Sequence, residues 1–260
     1  MAAQKAWYFF KTKIVPVPHV KVPIAGFFTD VEARIYAEQL TLADAAAFKT
    51  IDISELKNHP FEAELSTNLE HFTARFNYLS DWTVRTILAQ SCSKRRAAFL
   101  SHFIDIAEAL HRLRNVHSQF SIISALTSAP IDRLKLSWSR VPKSRRRTFQ
   151  NLCDLLSWEG NFKKLREYMD PCHGHCIPYL GVFLKDVYGI HAAHPPRETD
   201  NELRLSKMEK VLSSIPFHQT VAFDHLKVWP NIQHLLEPCL ELDTKGMGSS
   251  AFMISKELEP

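Results

Sequence analysis

Apolar residues recur at intervals of three and four along most of this chain, the spacing that gathers them on one face of an α-helix. From Asn68 to Gln90, Leu69, Phe72, Phe76, Leu79 and Trp82 keep that interval and predict one long helix facing a core. Ser93 opens the next, in which Leu100, Phe103, Ile104, Ala107, Leu110 and Leu113 form the stripe while Arg96, Glu108 and Arg112 fall on the polar side. Asp30 caps a predicted helix carrying Ala33, Ala37 and Leu40, and Thr41 to Phe48 makes a second short one. Further helices are predicted over 118–127, 131–139, 145–156, 161–169, 178–192, 201–214 and 230–236.

The first 28 residues follow another rule. Val15-Pro16-Val17-Pro18-His19-Val20-Lys21-Val22-Pro23 alternates and carries three prolines, which exclude a helix interior and predict an extended lead-in or edge strand. From 29 onward the connections are short, as in Ser128-Ala129-Pro130 and Ser139-Arg140-Val141-Pro142, so 29–260 reads as one domain. The tryptophans at 82, 138, 158 and 229 sit at unrelated offsets, which excludes a repeat array. Only seven glycines in 260 residues agree with an all-α chain, and 45% hydrophobic side chains suffice for a sizeable core.

Composition removes several classes of function. No apolar run approaches the length needed to span a bilayer, and Met1 to Lys13 lacks a secretory leader pattern, so a cytoplasmic protein is expected. Five cysteines make an odd, sparse set that fits a reducing compartment better than a disulfide framework. The net charge of +4 is too mild to imply nucleic acid. Its densest clusters, Lys94-Arg95-Arg96 and Lys143-Ser144-Arg145-Arg146-Arg147, read as solvated helix ends or as surfaces for an acidic partner or an anionic membrane.

The phosphate-loop, dinucleotide, nucleophile-elbow and zinc-protease signatures are all missing, and no cofactor is expected. Cys172-His173-Gly174-His175-Cys176 packs four borderline ligands together, but four ligands inside five residues do not easily surround one ion, and no metal is expected there. His191 and His194 lie three apart at a helix end and read as exposed terminal histidines. The segment from Cys176 to Ile190 is apolar without a clean polar face, which alone describes a buried helix.

Fragments spread over about 30–260 add more when read in order. Ala37-Glu38-Gln39-Leu40-Thr41-Leu42, Asn68-Leu69, Arg75-Phe76-Asn77, Trp82 and Leu113-Arg114-Asn115 resemble the first half of a Cdc25-homology domain, the catalytic unit of Ras guanine nucleotide exchange factors. Ser124-Ala125-Leu126, Ile131-Asp132-Arg133-Leu134, Trp138, Asn161-Phe162, the run Cys176 to Asp186 and Leu258-Glu259-Pro260 resemble its second half. The resemblance implies an irregular helical bowl from which a helical hairpin projects, here about 178–192 and 201–214. By that resemblance, the hairpin is expected to displace a switch segment and occlude the magnesium of a Ras-subfamily small GTPase, so that GDP leaves without covalent chemistry.

Carried over by position, Tyr179 and Phe162 match aromatics that pack on the second switch, and both also fit ordinary core positions. Lys185 and Asp186 lie on the projecting helix; burying both unpaired is costly, so a polar partner surface is expected. Arg114 and Asn115 match paired asparagines near the hairpin base, and Tyr188 matches the side chain that intrudes toward the magnesium. Ala192 stands where many Ras and Rap exchange factors have a glutamate, and Arg114 where they have asparagine. Those departures are compatible with an inactive scaffold, or with the RalGPS-type branch, which also resembles this chain at Ser101-His102-Phe103, at Ser128-Ala129-Pro130 and at Tyr168. That branch dispenses with a helical N-terminal exchanger motif, for which this chain has no room. The expected partner is therefore Ral ahead of Ras or Rap, with any membrane recruitment supplied by other regions.

Overall fold

A computed structural model of the chain describes residues 27–58, 67–195, 201–236 and 247–260. Its elements are helical: α1 (Phe27–Asp30), α2 (Ala33–Lys49), α3 (Ile53–Asn58), α4 (Thr67–Leu88), α5 (Ser93–Arg112), α6 (Val116–Leu126), α7 (Ala129–Asp132) and α8 (Lys135–Arg140). They continue with α9 (Lys143–Leu155), α10 (Glu159–Met169), α11 (Gly181–Ala193), α12 (Asn201–Leu212), α13 (Ile215–Gln219), α14 (Pro230–Leu236) and α15 (Met247–Leu258). Among the described residues the only β-type pairing is one isolated bridge between Asn115 and Ile177. The fold is the all-α bowl with a projecting hairpin.

The predicted stripes on α4 and α5 are buried, including Leu69, Phe72, Leu79, Trp82, Leu100, Phe103, Ile104, Ala107 and Leu110. These helices pack on α2 and around α6, whose every residue from Val116 to Leu126 is buried. Five polar side chains of α6 therefore lie inside the core. Ser118 donates to Asp44, and Ser121 donates to the Phe76 carbonyl at 2.6 Å. His117 packs at a tilt on Phe72 with ring centroids 3.8 Å apart. Burial pushes the His117 imidazole down to about 4, against the opposing pull of Asp44.

Several expectations change. The two short helices over 33–48 are one, because no glycine or proline interrupts them and Thr41 faces the core, accepting from Asn115 Nδ2 at 3.2 Å. The single helix over 131–139 is two, since Leu134 is non-helical (φ −73°, ψ 64°) and Trp138 Nε1 captures the Ile131 carbonyl at 3.0 Å. Helices α3, α13 and α15 were not anticipated from periodicity. The extended lead-in over 1–26 lies outside the described residues, but Phe27 and Phe28 belong to α1 rather than to it. Phe28 is buried against Tyr36, Trp82, Phe99 and Phe103.

Arg96 reverses its predicted side. It is 2% exposed and donates to Ser137 Oγ (2.9 Å), the Gln90 carbonyl (2.9 Å) and Glu259 Oε1 (3.0 Å). A guanidinium with that many fixed acceptors is tolerated in a core position that periodicity alone assigns to solvent.

Candidate functional site

Helices α11 and α12 pack chiefly on each other and form the projecting hairpin. The first two turns of α11 are embedded through Val182, Phe183, Leu184 and Val187. Lys185, Tyr188 and Ala192, spaced by three and four residues, share its exposed face. Tyr188 is 46% exposed and so is not a core residue. Ala192 presents a methyl group with no hydrogen-bonding capacity at its position.

Beside the hairpin base runs an aromatic row. Tyr179 stacks on Phe120 (4.2 Å, 15°) and meets Phe76 at 5.3 Å, while Phe120 meets Phe162 at 6.3 Å. Tyr179, Phe76 and Phe162 are half-buried, so the row has one packed face and one open face. Burial raises the Tyr179 hydroxyl to about 12, keeping it neutral. Gly181 makes the row possible, because a Cβ there would lie 2.4 Å from Tyr179 Cζ and Oη. Sequence reasoning passed over this glycine; its signal was its place two residues after the aromatic at the start of a helix.

Phe162 reaches the row through an unusual backbone. Gly160, Asn161 and Phe162 are three consecutive left-handed residues (φ 56°, 61° and 62°) near the start of α10. Glycine adopts this freely and asparagine more readily than other residues, whereas Phe162 costs roughly 1–2 kcal/mol. The turn is held by Arg166 Nε, which donates to the Asn161 carbonyl at 2.8 Å. It flanks an open groove of about 730 Å³ between α10 and the hairpin, lined in part by Trp158, Asn161, Lys185, Asp186, His194 and Lys207.

The two charges of α11 do not await a partner. Asp186 is held by both terminal nitrogens of Arg166 at 2.6 and 2.9 Å, and Lys185 donates to Asn161 Oδ1. The expectation that a polar partner surface must satisfy them is corrected: the chain supplies their partners itself.

Asn115 is corrected as well. It is completely buried, caps α6 by accepting from the Ser118 amide at 3.1 Å, and donates to Thr41 and Asp44 at 3.2 and 2.9 Å. It has no surface with which to touch another protein. Burial alone would raise the Asp44 carboxyl, but Arg75 at 2.7 Å and the bonds from Ser118 and Asn115 outweigh it and hold it below the ordinary carboxylate range. Arg114 also works internally. With φ 55°, it donates to the carbonyls of His175 (3.0 Å) and Tyr168 (2.6 Å) and covers the Tyr168 ring at 4.5 Å. Together with the bridge of Val116 and Arg114 to Ile177, it fastens the segment that leads into the hairpin.

The cysteine and histidine cluster disperses. Cys172 lies within a short turn, Pro171–His173, capped by Asp170, His175 stacks on Phe217 at 4.1 Å, and Cys176 is buried against His218. Burial raises the Cys176 thiol to about 12. Among the described residues no three His, Cys, Asp or Glu side chains are placed to hold a metal ion. No described helix is long and apolar enough to cross a membrane.

Comparison with known proteins decides the family. Residues 35–211 match the model of the RasGEF domain, over the aromatic row and the greater part of the hairpin. This chain belongs to the RasGEF domain family. Over 235 residues, 86% of the chain, it is 37% identical to Ras-specific guanine nucleotide-releasing factor RalGPS1 of Danio rerio. It is 34% identical over the same length to Ras-specific guanine nucleotide-releasing factor RalGPS2 of Homo sapiens. Ras guanine nucleotide exchange factor C of Dictyostelium discoideum is 32% identical over 92% of the chain. The chain spans about 40% of the length of the two RalGPS relatives and 16% of the Dictyostelium one. The RasGEF domain is thus similar to RalGPS-type relatives over most of its length.

Proposed function

We propose that this RasGEF domain is a guanine nucleotide exchange factor for a Ras-subfamily small GTPase, with Ral ahead of Ras and Rap. The observation that carries the reading is the pairing of an open aromatic row with an outward-facing helix edge. Tyr179 and Phe162 dock the second switch, and the edge of α11 bearing Lys185, Tyr188 and Ala192 enters the nucleotide site. Docking on apolar rings supplies affinity that does not depend on the nucleotide, whereas entry of the hairpin is incompatible with bound GDP and magnesium. By linkage, a protein that loosens GDP must itself bind the nucleotide-free GTPase more tightly. With Ala192 unable to donate or accept a hydrogen bond, release depends on the bulk of Tyr188. Ral leads because the similar proteins are named RalGPS1 and RalGPS2.

The test is a panel of Ral, Ras and Rap proteins loaded with fluorescent GDP. Release accelerated most on Ral is expected. A folded domain that accelerates release on no member of the panel overturns the reading and favours a scaffold that binds its partner without exchange.

A further inference from the structure

We propose that Arg166 is a positioning residue that latches the hairpin to the left-handed turn of α10 and so sets the angle at which α11 meets the GTPase. The proposal rests on the exchange reading for its consequence, but not for its geometry. One planar guanidinium makes three directed bonds: Nε to the Asn161 carbonyl at 2.8 Å, and the two terminal nitrogens to the two oxygens of Asp186 at 2.6 and 2.9 Å. Lys185 adds a second strand by donating to Asn161 Oδ1. The turn that places Phe162 in the aromatic row and the helix that carries Tyr188 are therefore joined through one side chain.

The position of the link gives it leverage. Residues 182–184 and 187 are embedded, whereas Tyr188, Gly189, Ala192 and Ala193 are exposed. Asp186 lies where the embedded part of α11 gives way to the exposed part, so a bond at that point restrains the tilt of everything beyond it. A bidentate guanidinium–carboxylate pair fixes orientation as well as distance, which a lysine ammonium does not. The two partners keep about a third and a fifth of their side-chain surface in solvent (31% and 22%), a degree of exposure that suits a restraint rather than a core ion pair.

The experiment uses the folded chain with Arg166→Ala, Arg166→Lys, Asp186→Asn and the swapped pair Arg166→Asp with Asp186→Arg. Amide hydrogen exchange is followed over 181–193 and, as an internal control, over 116–126. Exchange kinetics are measured in parallel on a fluorescent-GDP-loaded Ras-subfamily GTPase. Asp186→Asn frees the hairpin while leaving the Arg166–Asn161 bond intact. It is expected to speed amide exchange about tenfold over 181–193 and not over 116–126, and to lower kcat for nucleotide release several-fold with little change in KM. Arg166→Ala is expected to do the same and to raise KM as well, because Phe162 loses its support. Arg166→Lys should rescue neither, and the swapped pair should recover part of the hairpin protection.

Unchanged hairpin protection in both Arg166→Ala and Asp186→Asn overturns the latch. Equal loss of protection over 181–193 and 116–126 also overturns it, by showing a merely structural contact. If the wild-type chain accelerates no GTPase, the exchange reading fails, yet the hydrogen-exchange comparison still judges the latch by itself.

Discussion

Glu259, one residue from the end of the sequence, closes an ion pair at 3.0 Å on the buried guanidinium of Arg96, 163 residues earlier. The same carboxylate accepts from the amides of Leu136 and Ser137 at 2.8 and 3.1 Å and from the Ser137 hydroxyl. One residue from the last segment of the chain thus ties the start of α5 to α8.

Removing that carboxylate leaves Arg96 as a buried charge without its counter-ion, the costly half of a broken pair. Glu259→Ala is expected to destabilise the fold by about 3 kcal/mol, and so to lower the melting temperature by roughly 6–10 °C for a chain of this size. Arg96→Met, which removes the charge together with its needs, should cost less than Glu259→Ala. Thermal melts of the two variants decide the order.

Protonation of His117 in α6 should weaken the fold as pH falls. The His117 imidazole, held neutral by burial, titrates near 4 in the folded chain against about 6.5 when unfolded. Between those values the unfolded chain binds the extra proton, so stability is full above pH 6.5 and falls as pH drops toward 4, by about 3 kcal/mol over the window. Asp81, raised to about 6 by burial, acts in the opposite sense. Comparing wild type with His117→Phe isolates the histidine: urea midpoints between pH 7 and 4.5 should fall less in the variant.

Tyr188 is exposed on the hairpin edge, so its loss should leave the fold alone. Tyr188→Ala is expected to change the melting temperature by less than about 2 °C, since substitutions at exposed sites shift stability little. Nucleotide release per bound complex should fall by about tenfold or more, with a smaller change in affinity for nucleotide-free GTPase. An unchanged release rate would remove Tyr188 from the mechanism.

Local sequence spacing carried much of the fold but little of the site's wiring. The stripes of α4 and α5 were legible because their partners lie on the same helix, three and four residues away. Arg96, Asn115 and Arg114 were not, because what fixes each of them comes from afar: Glu259 for the first, Asp44 for the second, and the carbonyls of Tyr168 and His175 for the third. Tyr188 and Ala192 lie exposed on α11, and Tyr179 and Phe162 are half-buried beside it. For Lys185 and Asp186 the adjacent charges in an apolar helix were a true anomaly. Their resolution lay in Arg166 and Asn161, which no spacing connects to them.

Gly181 offers the sharpest test of the aromatic row. A Cβ at this position would come within 2.4 Å of Tyr179 Cζ and Oη, far inside contact distance, and the ring cannot simply swing away because it is stacked on Phe120 at 4.2 Å. The backbone itself does not oppose the change, since Gly181 is the first residue of α11 and its φ lies outside the left-handed region. Gly181→Ala should therefore displace Tyr179 from the row and lower the melting temperature, because the stacking on Phe120 is lost. KM for the GTPase is expected to rise about fivefold to tenfold, with kcat less affected. Tyr179→Ala should give a similar rise, and the double variant no more than Tyr179→Ala alone, because the two substitutions remove the same contact. Additive effects in the double variant would mean that Gly181 acts on the hairpin directly rather than through the Tyr179 ring.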